Sequence, residues 1–134
     1  CCSAYRRGVF FEYKFNERFT GYSFTEDVEL SSHVKKKHRL INTTKARCFH
    51  KDLGGRTHKN WTEIGKMQVL NKWYVMTRVL NRNAPKDKIR FFYYQLYCVI
   101  TETRLLLKWP DAKHALLRWW GRFLGVLALA GREY

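Results

Sequence analysis

Acidic residues are the scarce class in this chain: 11 Asp and Glu stand against 26 Lys and Arg, a net charge of +15. The few acids are scattered, and no paired-carboxylate or Ser/His/Asp arrangement is recognisable, so a non-enzymatic role is expected. Cysteine is limited to Cys1, Cys2, Cys48 and Cys98, with no C-x-x-C spacing and no disulfide-scaffold density. A reducing compartment follows from that. His38, Cys48, His50 and His58 match no standard zinc pattern, so no metal site is expected. Leu53-Gly54-Gly55-Arg56-Thr57 lacks the Gly-Lys-Ser/Thr ending of a phosphate loop, and no cofactor or small-molecule substrate is implied. The C-terminal apolar run, Phe123–Gly131, is nine residues long. A bilayer span needs about 20, so a free-standing span is not expected. No internal repeat or low-complexity segment is present, and no motif of a known family covers any substantial part of the chain.

What the chain does have is a concentration of cations. From His33 to Asn60, nine Lys or Arg residues face one acid, Asp52, for a net charge of +8. The cations are Lys35, Lys36, Lys37, Arg39, Lys45, Arg47, Lys51, Arg56 and Lys59, and four of the five histidines lie among them. Charge at that density repels itself, which implies a polyanionic partner. Residues 1–32 carry −1 and residues 61–134 another +8, so the basicity is not a tail on a neutral body. Aromatics at 16% and hydrophobics at 46% exceed what a disordered polycation contains. Five Trp and eight Tyr are the side chains that anchor protein interfaces.

The pattern along the chain predicts an α+β fold: a short N-terminal β-hairpin or small sheet, a basic extended arm, and a C-terminal three-helix region. In the first part, residues 1–32, Val9, Phe11, Tyr13 and Phe15 alternate with Phe10, Glu12 and Lys14, as a half-buried strand would. Phe19–Phe24, with Gly21 at a turn, would pair with it, and Thr25–Glu29 reads as an acidic solvated loop. The arm, residues 33–60, shows no persistent period and is expected to order on its partner. Residues 61–134 carry the helical signals, with helices expected at about 61–81, 86–108 and 111–130. Asn60-Trp61-Thr62-Glu63 resembles a capping box, and Pro85 fits the first turn of the second helix. Val69, Trp73, Met76 and Leu80 form one amphipathic stripe. Ile89, Tyr93, Leu96, Ile100, Thr103 and Leu107 form another.

Function follows from these features as an expectation. Lys and Arg of the arm would neutralise RNA phosphates, with Arg47, Phe49, His50 and Arg56 able to contact unpaired bases. Arg118 and Arg122 share a helix face beside Trp119 and Trp120. With Trp73 and Phe123 they form a candidate interface with protein or membrane. The reading is a structural, rRNA-binding subunit of a large ribonucleoprotein, best a mitochondrial ribosomal protein, contacting rRNA and neighbouring subunits. The start Cys-Cys-Ser-Ala-Tyr-Arg-Arg suits a cleaved targeting peptide and a matrix location. The rival is an accessory subunit of an inner-membrane respiratory or ATP synthase complex, its last helix on lipid and its arm on anionic headgroups.

Overall fold

The fold was analysed in a computed structural model, which describes residues 3–19, 24–45, 47, 60–104 and 112–131. The described residues form helices and no strand. In chain order they are α1 (Val9–Glu12), α2 (Glu26–Val34), α3 (Trp61–Tyr74) running into a π-helical turn (Val75–Val79), α4 (Pro85–Thr103) and α5 (Ala112–Ala130).

The expected N-terminal β element is therefore corrected. Val9–Glu12 closes one helical turn, with the Tyr13 N–H donating to the Val9 carbonyl at 2.9 Å. The alternation of apolar residues does not place them on one buried face: Val9 is buried, whereas Phe11 is 79% exposed. A strand is stable only with a partner to complete its backbone hydrogen bonds. The segment instead packs Val9, Tyr5 and Tyr13 on Leu30 and Val34 of α2, forming a small apolar cluster. The expected pairing partner includes residues 20–23, which lie outside the described residues.

The stretch expected as an acidic loop is the first turn of α2. Glu26, Asp27 and Glu29 stand at its N-terminal end, where carboxylates favour the helix dipole. Thr25, just before the helix, adopts a left-handed φ of 75°. The adjacent Phe24 carbonyl is held by the Asn71 side-chain amide at 3.0 Å, which ties this turn to α3. Asn16 adds a second tie, donating to Glu29 Oε1 and to the Tyr74 hydroxyl.

In the C-terminal part, Asn60 caps α3 by accepting from the Glu63 N–H at 3.2 Å. Pro85 begins α4, where its missing N–H leaves no helical bond unmade. The π turn is marked by the Leu80 N–H donating to the Val75 carbonyl five residues back. Asn81, at φ 51°, takes the left-handed position that ends the helix.

Helices α3 and α5 run parallel and nearly touch backbone to backbone. A Cβ added to Gly65 would strike the Arg118 carbonyl, and one added to Gly121 would strike the Thr62 carbonyl. At Gly125 it would meet Val69 Cβ at 2.8 Å and the Lys66 carbonyl at 3.1 Å. The absence of side chains at these positions is what permits the approach. Trp61 reinforces the same end, lying against His114 at 4.9 Å and under the Arg118 guanidinium at 5.2 Å.

Helix α4 runs antiparallel to both, and its buried side is not the apolar stripe. Ile89, Tyr93, Leu96 and Ile100 are 54–73% exposed. The inward stripe is Phe91, Gln95, Cys98 and Glu102, with Phe91 and Gln95 buried. Phe91 meets Trp73 edge-on at 5.1 Å. Gln95 and Glu102 receive Arg122, which is buried at 6% exposure and donates to Gln95 Oε1 at 2.8 Å and Glu102 Oε1 at 3.0 Å. Arg118 Nε lies 3.9 Å from the same carboxylate oxygen. A buried guanidinium must be paired, and that requirement turns the polar side of α4 inward.

Candidate polyanion interface

The cations Lys35, Lys36 and Lys37 extend from the C-terminal end of α2. Their N–H groups bond back to Ser31, His33 and Val34 carbonyls, so the lysines occupy a closed turn. The partly negative carbonyl end of a helix favours cations there. Leu30 and Val34, at 1% and 2% exposure, pin this end to the apolar cluster beneath it. The lysines are thus displayed from a fixed base.

They are not equivalent. Lys37 Nζ forms an exposed ion pair with Glu12 Oε2 at 2.9 Å and lies near the Tyr13 ring. The hydrogen bond and charge of Lys37 hold the Glu12 carboxyl below its usual value, and Glu12 raises the Lys37 ammonium in return. Lys35 and Lys36 are exposed, as are Arg39, Lys45 and Arg47 in the sequence that follows. Lys35 also borders a shallow groove with Ser3, Asp27 and Ser31. His38 is exposed and meets Tyr13 edge-on. The remaining expected contacts Lys51, Arg56 and Lys59, with Cys48, Phe49, His50 and His58, lie outside the described residues. Among the described residues no cluster of His, Cys, Asp and Glu could hold a metal ion.

A second group of cations was not singled out from sequence. Between Arg78 and Arg90, Arg78, Arg82, Lys86, Lys88 and Arg90 face one acid, Asp87. The structure sets Arg78 and Lys88 on the wall of a cleft of about 570 Å³, with Arg18, Trp73, Tyr74, Thr77 and Asn83.

The candidate interface residues of the helical part divide into two sets. Trp120 and Phe123 are half exposed and stacked on each other at 5.4 Å. With Leu116 and Leu127 they form an open apolar stripe along α5. Arg122 is on the opposite, buried side, and Arg118 and Trp119 are partly buried. Trp73 is half-buried between α3 and α4, packed against Phe91 and Phe92. The shared face of Arg118 and Arg122 therefore serves the internal Glu102 contact, while the outward face of α5 is apolar. Among the described residues no helix is long and apolar enough to cross a membrane.

Lys72 adds a third cation near Arg122. Its Nζ sits 3.4 Å from the centre of the Tyr94 ring, and burial holds its ammonium below the ordinary lysine value. The Tyr94 phenol is raised, first by its hydrogen bond with Cys98 and then by burial. Comparison with protein-family models, with curated proteins and with solved structures returns no match for this chain.

Proposed function

We propose that the chain is a structural, non-enzymatic RNA-binding subunit of a large ribonucleoprotein, with a mitochondrial ribosome as the best single candidate. The observation that supports this reading is the pairing of two open surfaces on one small chain. Exposed cations stand largely apart from acids at the end of α2, along residues 39–47 and around the α3–α4 turn. Apolar stripes on α4 and α5 also lie open. Cations without acids favour a phosphate backbone, and contiguous apolar faces favour neighbouring protein. A diffusible RNA binder has no use for the second surface, whereas a subunit built into an assembly uses both.

The outward stripe of α5, Leu116, Trp120, Phe123 and Leu127, also favours one second reading. It is the accessory subunit of an inner-membrane complex, with α5 lying in the interface and the cations on anionic lipid.

The arm supplies the test. Lys35→Glu/Lys36→Glu reverses the two lysines that are not held by Glu12. Incorporation of the variant chain into the native particle should fall at least several-fold relative to wild type, read by quantitative immunoblotting of gradient fractions. Unchanged incorporation would show that this end of α2 does not contact RNA.

A further inference from the structure

The cleft at the α3–α4 turn is built differently from the arm. Its two aromatic lining residues are held in place. Tyr74 accepts from the Asn16 side-chain amide at 3.2 Å, meets Phe19 edge-on at 5.9 Å, and carries the Arg18 guanidinium over its ring at 4.8 Å. Trp73 is fixed by Phe91 and Phe92. The π turn widens the helix immediately after these two rings, and Thr77 and Arg78 belong to that widened turn. Asn83 also lines the cleft, its side-chain amide donating to the Thr77 carbonyl at 3.2 Å. Lys88 projects from the first turns of α4.

Every charged residue on the described lining is a cation: Arg18, Arg78 and Lys88. Asp87 is the one acid between Arg78 and Arg90, and it is not part of the wall. The Thr77 hydroxyl and the Asn83 amide are taken up within the fold, the first by the Trp73 carbonyl and the second by the Thr77 carbonyl and Asn81. The lining otherwise offers cations, which recognise phosphate, beside two aromatic rings, which suit a flat base. The volume of about 570 Å³ lies in the range of small-ligand sites.

We propose that this cleft takes one unpaired nucleotide of an RNA strand, with its phosphate met by Arg78 and Lys88 and its base against the Trp73–Tyr74 wall. The inference rests on the RNA-binding reading above and adds a contact separate from the arm. A nucleotide is favoured over a lipid headgroup because the described lining combines cations with aromatic rings and includes no aliphatic side chain on which acyl chains could lie. The arm then contributes charge that reads no sequence, and the cleft contributes the strand's unpaired shape.

The test uses the full chain and a single-stranded octauridylate carrying 5-iodouridine. Photo-cross-linking followed by peptide mass spectrometry should place cross-links at Trp73 or Tyr74. Arg78→Ala/Lys88→Ala, two exposed changes checked for folding by circular dichroism, should weaken octauridylate binding roughly tenfold at low salt. The slope of log affinity against log salt should fall by about 0.7, the loss of one neutralised single-strand phosphate. Cross-links confined to residues 35–59, with the double variant binding normally, overturn the cleft and leave the RNA-binding reading standing. Failure of the wild-type chain to bind octauridylate at low salt overturns both. If the double variant loses binding to phosphatidylglycerol vesicles while keeping its RNA affinity, the cleft belongs to a lipid headgroup and the proposal fails.

Discussion

Helix α5 meets its two neighbours in opposite ways. Against α3 it presents Gly121 and Gly125 and approaches backbone to backbone, a contact set by the absence of side chains. Against α4 it presents Arg122, a long charged side chain that reaches Gln95 and Glu102. The first seam is close and small. The second is polar, and several of its atoms, including Gln95 Nε2, Glu102 Oε2 and Arg122 Nε, are buried with no hydrogen-bond partner among the described residues. The difference teaches why α4 exposes its apolar stripe: the polar seam occupies its other side, so Ile89, Tyr93, Leu96 and Ile100 face outward. A helix oriented in this way fits a chain whose outer surface is completed by neighbours.

The comparison can be broken most severely at Arg122. Arg122→Ala leaves Glu102 buried without its nearest cation, and the expected loss is about 3–5 kcal/mol in urea unfolding. Replacing the set together, Arg122→Met/Gln95→Leu/Glu102→Leu, should recover part of that loss, since a well-packed apolar substitute removes the desolvation cost while Arg118 loses its carboxylate. If the single change costs less than the triple, the polar seam does not hold α4.

The dry seam should respond less, by about 1–3 kcal/mol, to Gly121→Ala, because the added Cβ forces two backbones apart. Gly8→Ala is the control: it has nothing within 4 Å and a helical φ of −57°, so its effect should be near zero or slightly stabilising. Equal effects at the two glycines would mean that α3 and α5 are not in close contact.

The smallest effect belongs to the exposed Glu12–Lys37 pair, which joins the two N-terminal helices. Glu12 is held below its usual 4.5, so the folded chain binds fewer protons there than the unfolded one. Its contribution is present above that value and fades as pH falls through the lowered one. Lys37 is raised above 10.5, so its contribution is present below 10.5 and fades as pH rises through the raised value. Glu12→Gln should therefore flatten both limbs of the melting temperature against pH slightly, and leave neutral stability little changed. A wild-type acid limb that is unchanged in this variant would show that the pair does not form.

These contacts also mark what the sequence made legible. Asn60 and Pro85 announced helix starts through local chemistry, because a cap and a missing N–H act within one turn. The Gly121-x-x-x-Gly125 spacing, from which no helix contact was expected, carries the α3–α5 approach. Helix α2 was missed because its apolar residues are few. Its better signal was charge, with Glu26, Asp27 and Glu29 at one end and Lys35–Lys37 at the other. The alternation at Val9–Phe15 suggested a strand, but period two has no meaning without a partner strand, and α2 supplied a helix surface instead. The inward face of α4 was not legible: two stripes of equal spacing run along it, and only the position of Arg122 on another helix selects the polar one. The exposed arm was legible as charge. The cleft was not, because Arg18, Tyr74 and Lys88 are brought together by the fold.

The most direct test of the central claim, that cations and apolar stripes place this chain inside an RNA-containing assembly, is sedimentation of the native protein before and after RNase. The account predicts that the chain migrates with large RNA-containing particles and leaves that position when RNA is digested. Retention in a detergent-solubilised membrane complex, unchanged by RNase, would contradict it.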